Sequence, residues 1–269
     1  MRAVLGIDAA WSFTQPSGVA VATQLSRGWR VIAAASSYQR FHALADPRLL
    51  AEPRPSGSLA DAPTLLASAS VLCDASVNLV AIDMPLAHTP IVGRRLSDRA
   101  VSRAYGGRKC GTHTPNALRP GRLSDRLRQS FDQAGYQLLT NMMAPVGLIE
   151  VYPHPALVEL AGASIRLPYK ASKVRTYWPA ATPTERRVLL YRQWSEIVTL
   201  LEGQVAGVVA ALPSLEINAS GTDVKAYEDA LDAIICAWVA ICGLEGRAAP
   251  FGDENSSIWI PTLSQHPRC

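Results

Sequence analysis

Three acids stand at the ends of apolar runs far apart in this chain. Asp8 follows Val-Leu-Gly-Ile, Asp83 follows Leu-Val-Ala-Ile, and Glu150 follows Val-Gly-Leu-Ile. An ionised carboxylate withdrawn from water without a partner is costly, so an acid closing a buried strand must meet a cation, a set of donors, or solvent at the sheet edge. Taken singly, each reads as an acid capping the turn after its strand. Three together point to one shared site, since open α/β sheets gather their ligands at strand C-terminal ends. A late helical segment adds Glu228, Asp229 and Asp232, whose spacings of three and four put Asp232 on one face with the other two, where like charges repel. The helix dipole accounts for first-turn acids such as Asp223 and partly for Glu228. It does not account for Asp232, which immediately precedes an apolar run at 233–244. A divalent cation would relieve both the repulsion and the desolvation. An all-oxygen donor set suits Mg²⁺ or Mn²⁺, and two such ions about 3.5 to 4 Å apart stabilise both oxygens of an in-line phosphoryl displacement. The expected ligands are Asp8, Asp83, Glu150, Asp229 and Asp232.

The elements needed to position these groups are legible as hydrophobic periodicity. Short apolar runs at 4–9, 18–25 and 29–36, separated by Gly, Pro and Ser, predict a three-strand meander. A helix is expected at 64–75 and a fourth strand at 78–82, so the pattern changes from hairpins to β-α-β. Residues 95–105 and 123–136 read as helices around a Gly-, Pro- and Arg-rich loop at 106–122, making an insertion of about 94–136. A fifth strand is expected at 147–151 and an amphipathic helix at 183–204. A buried helix should then be capped by Thr222 and closed by Gly243. The whole predicts one α/β domain over 1–269, with a mixed sheet, a helical insertion and extra C-terminal helices.

The net charge of +4 is unevenly spread: residues 94–128 hold ten Arg or Lys against two Asp, leaving the rest of the chain net acidic. Such a segment suits a polyanion such as nucleic acid, or equally a solvated loop. Within it, Arg99, Arg103, Arg108, Arg119 and Arg122 are candidates for backbone phosphates, and Trp11 or Trp259 for base stacking, though core packing is the commoner use of Trp. Lys170 and Lys173 are candidates to neutralise a scissile phosphate or to balance the acids. His154 is a candidate base beside Glu150, set against the plainer reading of a loop histidine between prolines.

Five cysteines without a Cys-x-x-Cys pair fit a reducing cytoplasm, and Cys110 with His113 makes only half a zinc site. Asp8 interrupts the first apolar run before signal-peptide length, and the longest uncharged apolar stretch is too short for a bilayer, so a cytoplasmic chain without membrane spans is expected. Dinucleotide, P-loop and serine-hydrolase chemistry lack their glycine-rich or Gly-x-Ser-x-Gly signatures here.

A three-strand meander followed by helix and strand alternation, with acids on the first strand, the fourth and a late helix, is similar to the ribonuclease H fold. Asp229 and Asp232 within Glu-Asp-Ala-Leu-Asp-Ala resemble the late-helix Asp-x-x-Asp-Ala of RuvC-type junction resolvases, whose first acid lies in a strand like Gly6-Ile7-Asp8. The whole chain resembles an uncharacterised domain-of-unknown-function family of predicted RNase H-like nucleases. The matching pieces are Gly6-Ile7-Asp8 with Trp11, Ala81-Ile82-Asp83-Met84-Pro85-Leu86, Asp98-Arg99 with Arg103, Glu150-Val151-Tyr152-Pro153, Tyr169-Lys170, Asp229 to Asp232, and Ile258-Trp259-Ile260-Pro261. Many members carry His-Pro-Glu after the fifth-strand Glu-Val, where this chain has Tyr152-Pro153-His154. The resemblance implies an RNase H-like sheet and an Mg²⁺- or Mn²⁺-dependent nuclease. In it Asp8, Asp83 and Asp232, helped by Glu150 or Asp229, would hold metal, and Lys170 would assist catalysis. Two rivals stand beside it: a phosphohydrolase or phosphotransferase acting on a small phosphorylated molecule, and a non-catalytic nucleic-acid-binding module.

Overall fold

Ala-Val-Leu-Gly-Ile-Asp has apolar side chains on both sides of its pleat, as a strand covered on both faces requires. It forms β1 (Ala3–Asp8) in the computed structural model, which describes residues 1–262. β2 (Gly18–Leu25) and β3 (Gly28–Ala35) complete an antiparallel meander, and β3 alternates exposed and buried residues as a half-covered edge strand should. Helices α1 (Tyr38–Ala45) and α2 (Ala62–Cys73) follow, then β4 (Val77–Ile82), which runs parallel to β1. After α3 (Leu96–Tyr105) and α4 (Arg122–Gln133), β5 (Gly147–Val151) adds parallel to β4. Then come α5 (Pro153–Ala161), the short α6 (Val174–Tyr177), α7 (Pro183–Glu202), the short α8 (Val208–Ala211) and α9 (Gly221–Leu244). The hairpin β6 (Ala248–Gly252) and β7 (Ser257–Pro261) closes the described chain.

The seven strands form one mixed sheet in the order β3-β2-β1-β4-β5-β7-β6. Strand parity divides the core. Val4, Leu79, Ala81, Ile149 and Val151 face α9, whereas Leu5, Ile7, Val80, Ile82 and Leu148 face α2 and α4. α9 lies tight on its face: a β-carbon on Gly6 would meet the Ala233 carbonyl oxygen at 2.2 Å, and one on Gly18 would meet that of Asp229 at 1.9 Å. Both positions therefore have to be glycine.

Two expectations need correction. The α9 cap is Ser220, whose hydroxyl accepts from the Asp223 N–H at 3.2 Å while the Asp223 carboxylate accepts from the Ser220 N–H at 3.2 Å. This reciprocal pair satisfies two otherwise free amides and outcompetes a cap at Thr222. Gly243 lies inside the helix, where a β-carbon would strike Met143 Cε at 2.6 Å, so its small size serves packing rather than termination. The expected C-terminal helices are α7 and α9, and the chain adds two strands after them that its sequence did not announce: β7 pairs Glu150 with Ile258 and Val151 with Trp259, extending the sheet beyond β5. Within the basic insertion, α3 packs on β6 and β7 while α4 packs on α2.

Candidate active site

Asp8 and Asp83 terminate neighbouring parallel strands. Ile7 is in register with Ile82, and the Asp83 N–H donates to the Ile7 carbonyl at 2.9 Å, so the two acids stand side by side on the α9 face. From α9, the fully buried Asp232 and the nearly buried Asp229 and Glu228 approach the same strand ends. Lys170 is the shared counter-charge. Its ammonium contacts Asp232 Oδ2, lies 3.7 Å from Glu228 Oε1, and stands 5.1 Å over the Tyr169 ring. Tyr169 in turn donates its hydroxyl to Asp232 Oδ1 at 2.8 Å, while Trp194 Nε1 donates to the Tyr169 carbonyl at 2.7 Å and fixes the backbone there. Lys225, one helical turn before the acids, contacts Asp229 Oδ1 and reaches Glu228 Oε1 at 3.2 Å. Asp229 Oδ2 is buried with no partner among the described residues.

This crowding shifts protonation as desolvation dictates. Burial pushes Asp8 up to about 6, opposed by Lys170 and reinforced by Asp229. Asp232 rises to about 6 from burial, against Lys170. Asp229 rises to about 6 from burial, against Lys225. Asp83 is held well above the usual carboxylate range, by burial first and then by its neighbour Asp8.

Glu150 takes a different place. β5 is in register so that Glu150 matches Ile82, one residue before Asp83, which turns its side chain to the opposite face of the sheet. There Arg95 donates to Oε2 at 2.5 Å and to Oε1 at 2.7 Å, and the Leu86 N–H donates to Oε2 at 2.7 Å. Arg95 also binds both oxygens of Asp98, at 3.1 and 2.9 Å, and the Leu86 carbonyl at 2.7 Å. Burial pushes Glu150 up to about 7, against the opposing pull of Arg95. Its lone pairs serve this buried network, which ties the loop after β4 to α3.

A cavity of about 320 Å³ opens between these groups, lined among others by Asp83, Arg95, Glu150, His154, Arg166 and Lys170. Trp11 lines it half-buried, its ring edge-on to His113 at 6.4 Å. Trp259 is core, donating to the Leu139 carbonyl at 2.8 Å. Arg99, Arg103 and Arg119 are exposed and lie outside the cavity lining. Arg108 is engaged by Glu159 at 2.6 Å and by the Ala163 carbonyl at 2.6 Å. Cys73, Cys110, Cys236 and Cys242 are free thiols, and Cys269 lies outside the described residues.

The expected ligands thus divide, with Asp8, Asp83, Asp229 and Asp232 on one face and Glu150 on the other. Sequence reading passed over Arg95, Lys225 and Arg166 and gave Tyr169 no role of its own. Lys225 was within reach, because its spacing of three and four to Glu228 and Asp229 is that of a helical ion pair. Arg95 and Arg166 become visible only through contacts distant in sequence. Carboxylate oxygens are the donors a hard divalent cation prefers, and the orphaned Asp229 Oδ2 is a donor without an occupation. Among the described residues no three His, Cys, Asp or Glu side chains converge on one ion position as they lie, the neighbouring positive charges being Lys170 and Lys225.

Among the described residues, no helix is long and apolar enough to cross a membrane. No curated protein and no solved structure matches the chain. A family model does match, across residues 6–256, and its span takes in Asp8, Asp83, Glu150, Lys170 and Asp232. With nearly its whole length inside that match, the chain belongs to the family described as Protein of unknown function (DUF429).

Proposed function

We propose that this protein is an RNase H-like, Mg²⁺- or Mn²⁺-dependent nuclease that hydrolyses phosphodiester bonds. The observation that carries the reading is the pair Asp8 and Asp83, side by side at the ends of parallel strands and facing Asp232 across the α9 contact. The strand order β3-β2-β1-β4-β5, with β2 antiparallel and β4 and β5 parallel to β1, supports an RNase H-like core. Asp8, Asp83 and Asp232, with the free oxygen of Asp229, would hold the metal, which supplies Lewis acidity and an activated water at the phosphate. The ion's arrival would require Lys170 and Lys225 to withdraw from the carboxylates. Lys170, freed from Asp232, is then within reach to neutralise a phosphate oxygen. Glu150 is assigned to holding Arg95 and the loop after β4. The exposed Arg99, Arg103 and Arg119 would contact backbone phosphates outside the cavity.

A second reading, hydrolysis or transfer on a small phosphorylated molecule, draws support from the cavity of about 320 Å³, near the lower end of small-ligand pockets. One experiment separates them: metal-dependent turnover on single-stranded, duplex, hybrid and branched nucleic acids and on phosphorylated small molecules, comparing the wild type with Asp8→Asn. The expected result is cleavage of nucleic acid with Mg²⁺ or Mn²⁺, reduced at least about a hundredfold in the variant. Turnover confined to small molecules favours the second reading. No turnover, or equal turnover by the variant, sinks both.

A further inference from the structure

We infer that part of the cavity wall is a phosphoryl-group subsite built on Arg166 and His154, and that its ligand is the phosphate-bearing end of a single nucleotide unit. The inference rests on the phosphate chemistry proposed above and names the part of the substrate that this wall would take. Three cations in the cavity are already matched: Arg95 by Glu150 and Asp98, Lys170 by Asp232, and Lys225 by Asp229. Arg166 is not. It lines the cavity, and its Nε is buried without a hydrogen-bond partner among the described residues. A buried donor left unpaired is costly, so this nitrogen calls for an acceptor, and a guanidinium fork is shaped for a phosphate.

His154 supplies the second observation. It is 6% exposed, lines the same cavity, and its Nδ1 is buried and unpartnered. The rings of Tyr152, at 5.3 Å and 88°, and Tyr169, at 5.2 Å and 65°, pack edge-on against the imidazole and hold it in place. Burial, with Lys170, Arg166 and His113 nearby, holds it well below its ordinary range, so the ring stays neutral and keeps one N–H to donate. His154 is the second residue of α5, a nine-residue helix whose N-cap, Tyr152, makes no side-chain cap. The positive end of that helix therefore adds to the field at the same wall. A cavity of about 320 Å³ has room for one nucleotide unit and not for a length of duplex.

The test is calorimetric titration in chelator, without metal, of inorganic phosphate, a nucleoside 5′-monophosphate, a 5′-phosphorylated dinucleotide and the unphosphorylated nucleoside. Phosphorylated ligands are expected to bind and the nucleoside to bind at least about tenfold more weakly. Arg166→Gln should weaken phosphate binding by roughly tenfold or more, His154→Gln by a smaller factor, and the exposed Arg175→Gln not at all. If Arg166→Gln is unfolded by circular dichroism, Arg166→Lys carries the same criterion, since it keeps the charge and loses the fork. Tight binding of the dinucleotide identifies a strand end, and tight binding of the monophosphate alone identifies a free nucleotide. Equal affinity of the Arg166 variant and wild type, or of nucleoside and monophosphate, overturns the subsite. Because no metal is present, that failure would leave the Asp8→Asn cleavage comparison standing, and a failure of cleavage would leave this titration standing.

Discussion

Asp83 and Glu150 each close an apolar strand behind an isoleucine, on neighbouring parallel strands, yet the molecule neutralises them differently. Glu150 meets a guanidinium fork and a backbone N–H in a buried, fully bonded network with Asp98. Asp83 and Asp8 meet each other, the acids of α9, and the ends of two flexible lysines. The first arrangement occupies its carboxylate oxygens by rigid geometry, although it lines the cavity. The second holds excess negative charge under tension, with an oxygen of Asp229 unpaired. On the reading proposed above, one serves stability and the other exchange of its cations, although their local sequences look alike.

The largest effect should come from breaking the rigid side. Arg95→Met leaves two buried carboxylates without their partner, and loss of about 3 to 5 kcal/mol is expected in urea unfolding. A loss under about 1 kcal/mol would mean that Glu150 is not held as described. On the other side the sign reverses: Asp83→Asn removes one of several repelling acids, and in chelator it should raise stability by about 1 kcal/mol, a few degrees in Tm. A marked drop would make Asp83 a structural ion-pair partner.

Burial on both sides predicts a pH dependence, Glu150 being raised from an ordinary 4.5 to about 7 in the same direction as the cluster. Asp8, Asp229 and Asp232 are raised from an ordinary 3.8 to about 6, so between those values the folded state binds more protons than the unfolded. Stability contributed by these groups is present at the acid end and is lost as pH rises through about 6. In chelator, Tm should therefore fall from pH 5 to pH 8, and Mg²⁺ at pH 8 should restore it. A Tm that is flat or rises over that window contradicts the crowding. The smallest effect belongs to the exposed arginines: Arg99→Ala with Arg103→Ala should leave stability within about 0.5 kcal/mol while flattening the salt dependence of nucleic-acid binding.

Much of this was legible in the sequence because its signals are local. The meander, β4, β5 and α7 follow from runs of apolar residues and turn punctuation, with ends that differ from the structure by a residue or two. Asp8, Asp83 and Asp232 were legible because each interrupts an apolar element. The shared signal does not distinguish faces: an acid after Val-Gly-Leu-Ile looks like one after Leu-Val-Ala-Ile, and only the register of β5 on β4 turns Glu150 to the other face. α1, α5, β6 and β7 were missed because short elements owe their stability to tertiary partners rather than to periodicity. Arg108 and Arg119 illustrate the same limit, since a run of positive charge does not tell which members are matched inside the fold.

The two glycines beneath α9 carry a consequence for how the site is dimensioned. Gly6 and Gly18 allow the helix backbone to rest on the sheet, and it is this seating that brings Asp232 down to the level of Asp8. The gap between those carboxylates is thus set by a mechanical stop with no charge and no chemistry of its own. A methyl group at Gly6 would act as a shim, lifting the helix at Ala233 and Ala237 and widening the site from a position that touches neither acid. Ion size and carboxylate spacing are coupled in any oxygen-ligated centre. In the metal centre proposed for this protein, that coupling would be adjusted from underneath, by the thickness of the contact between a strand and a helix.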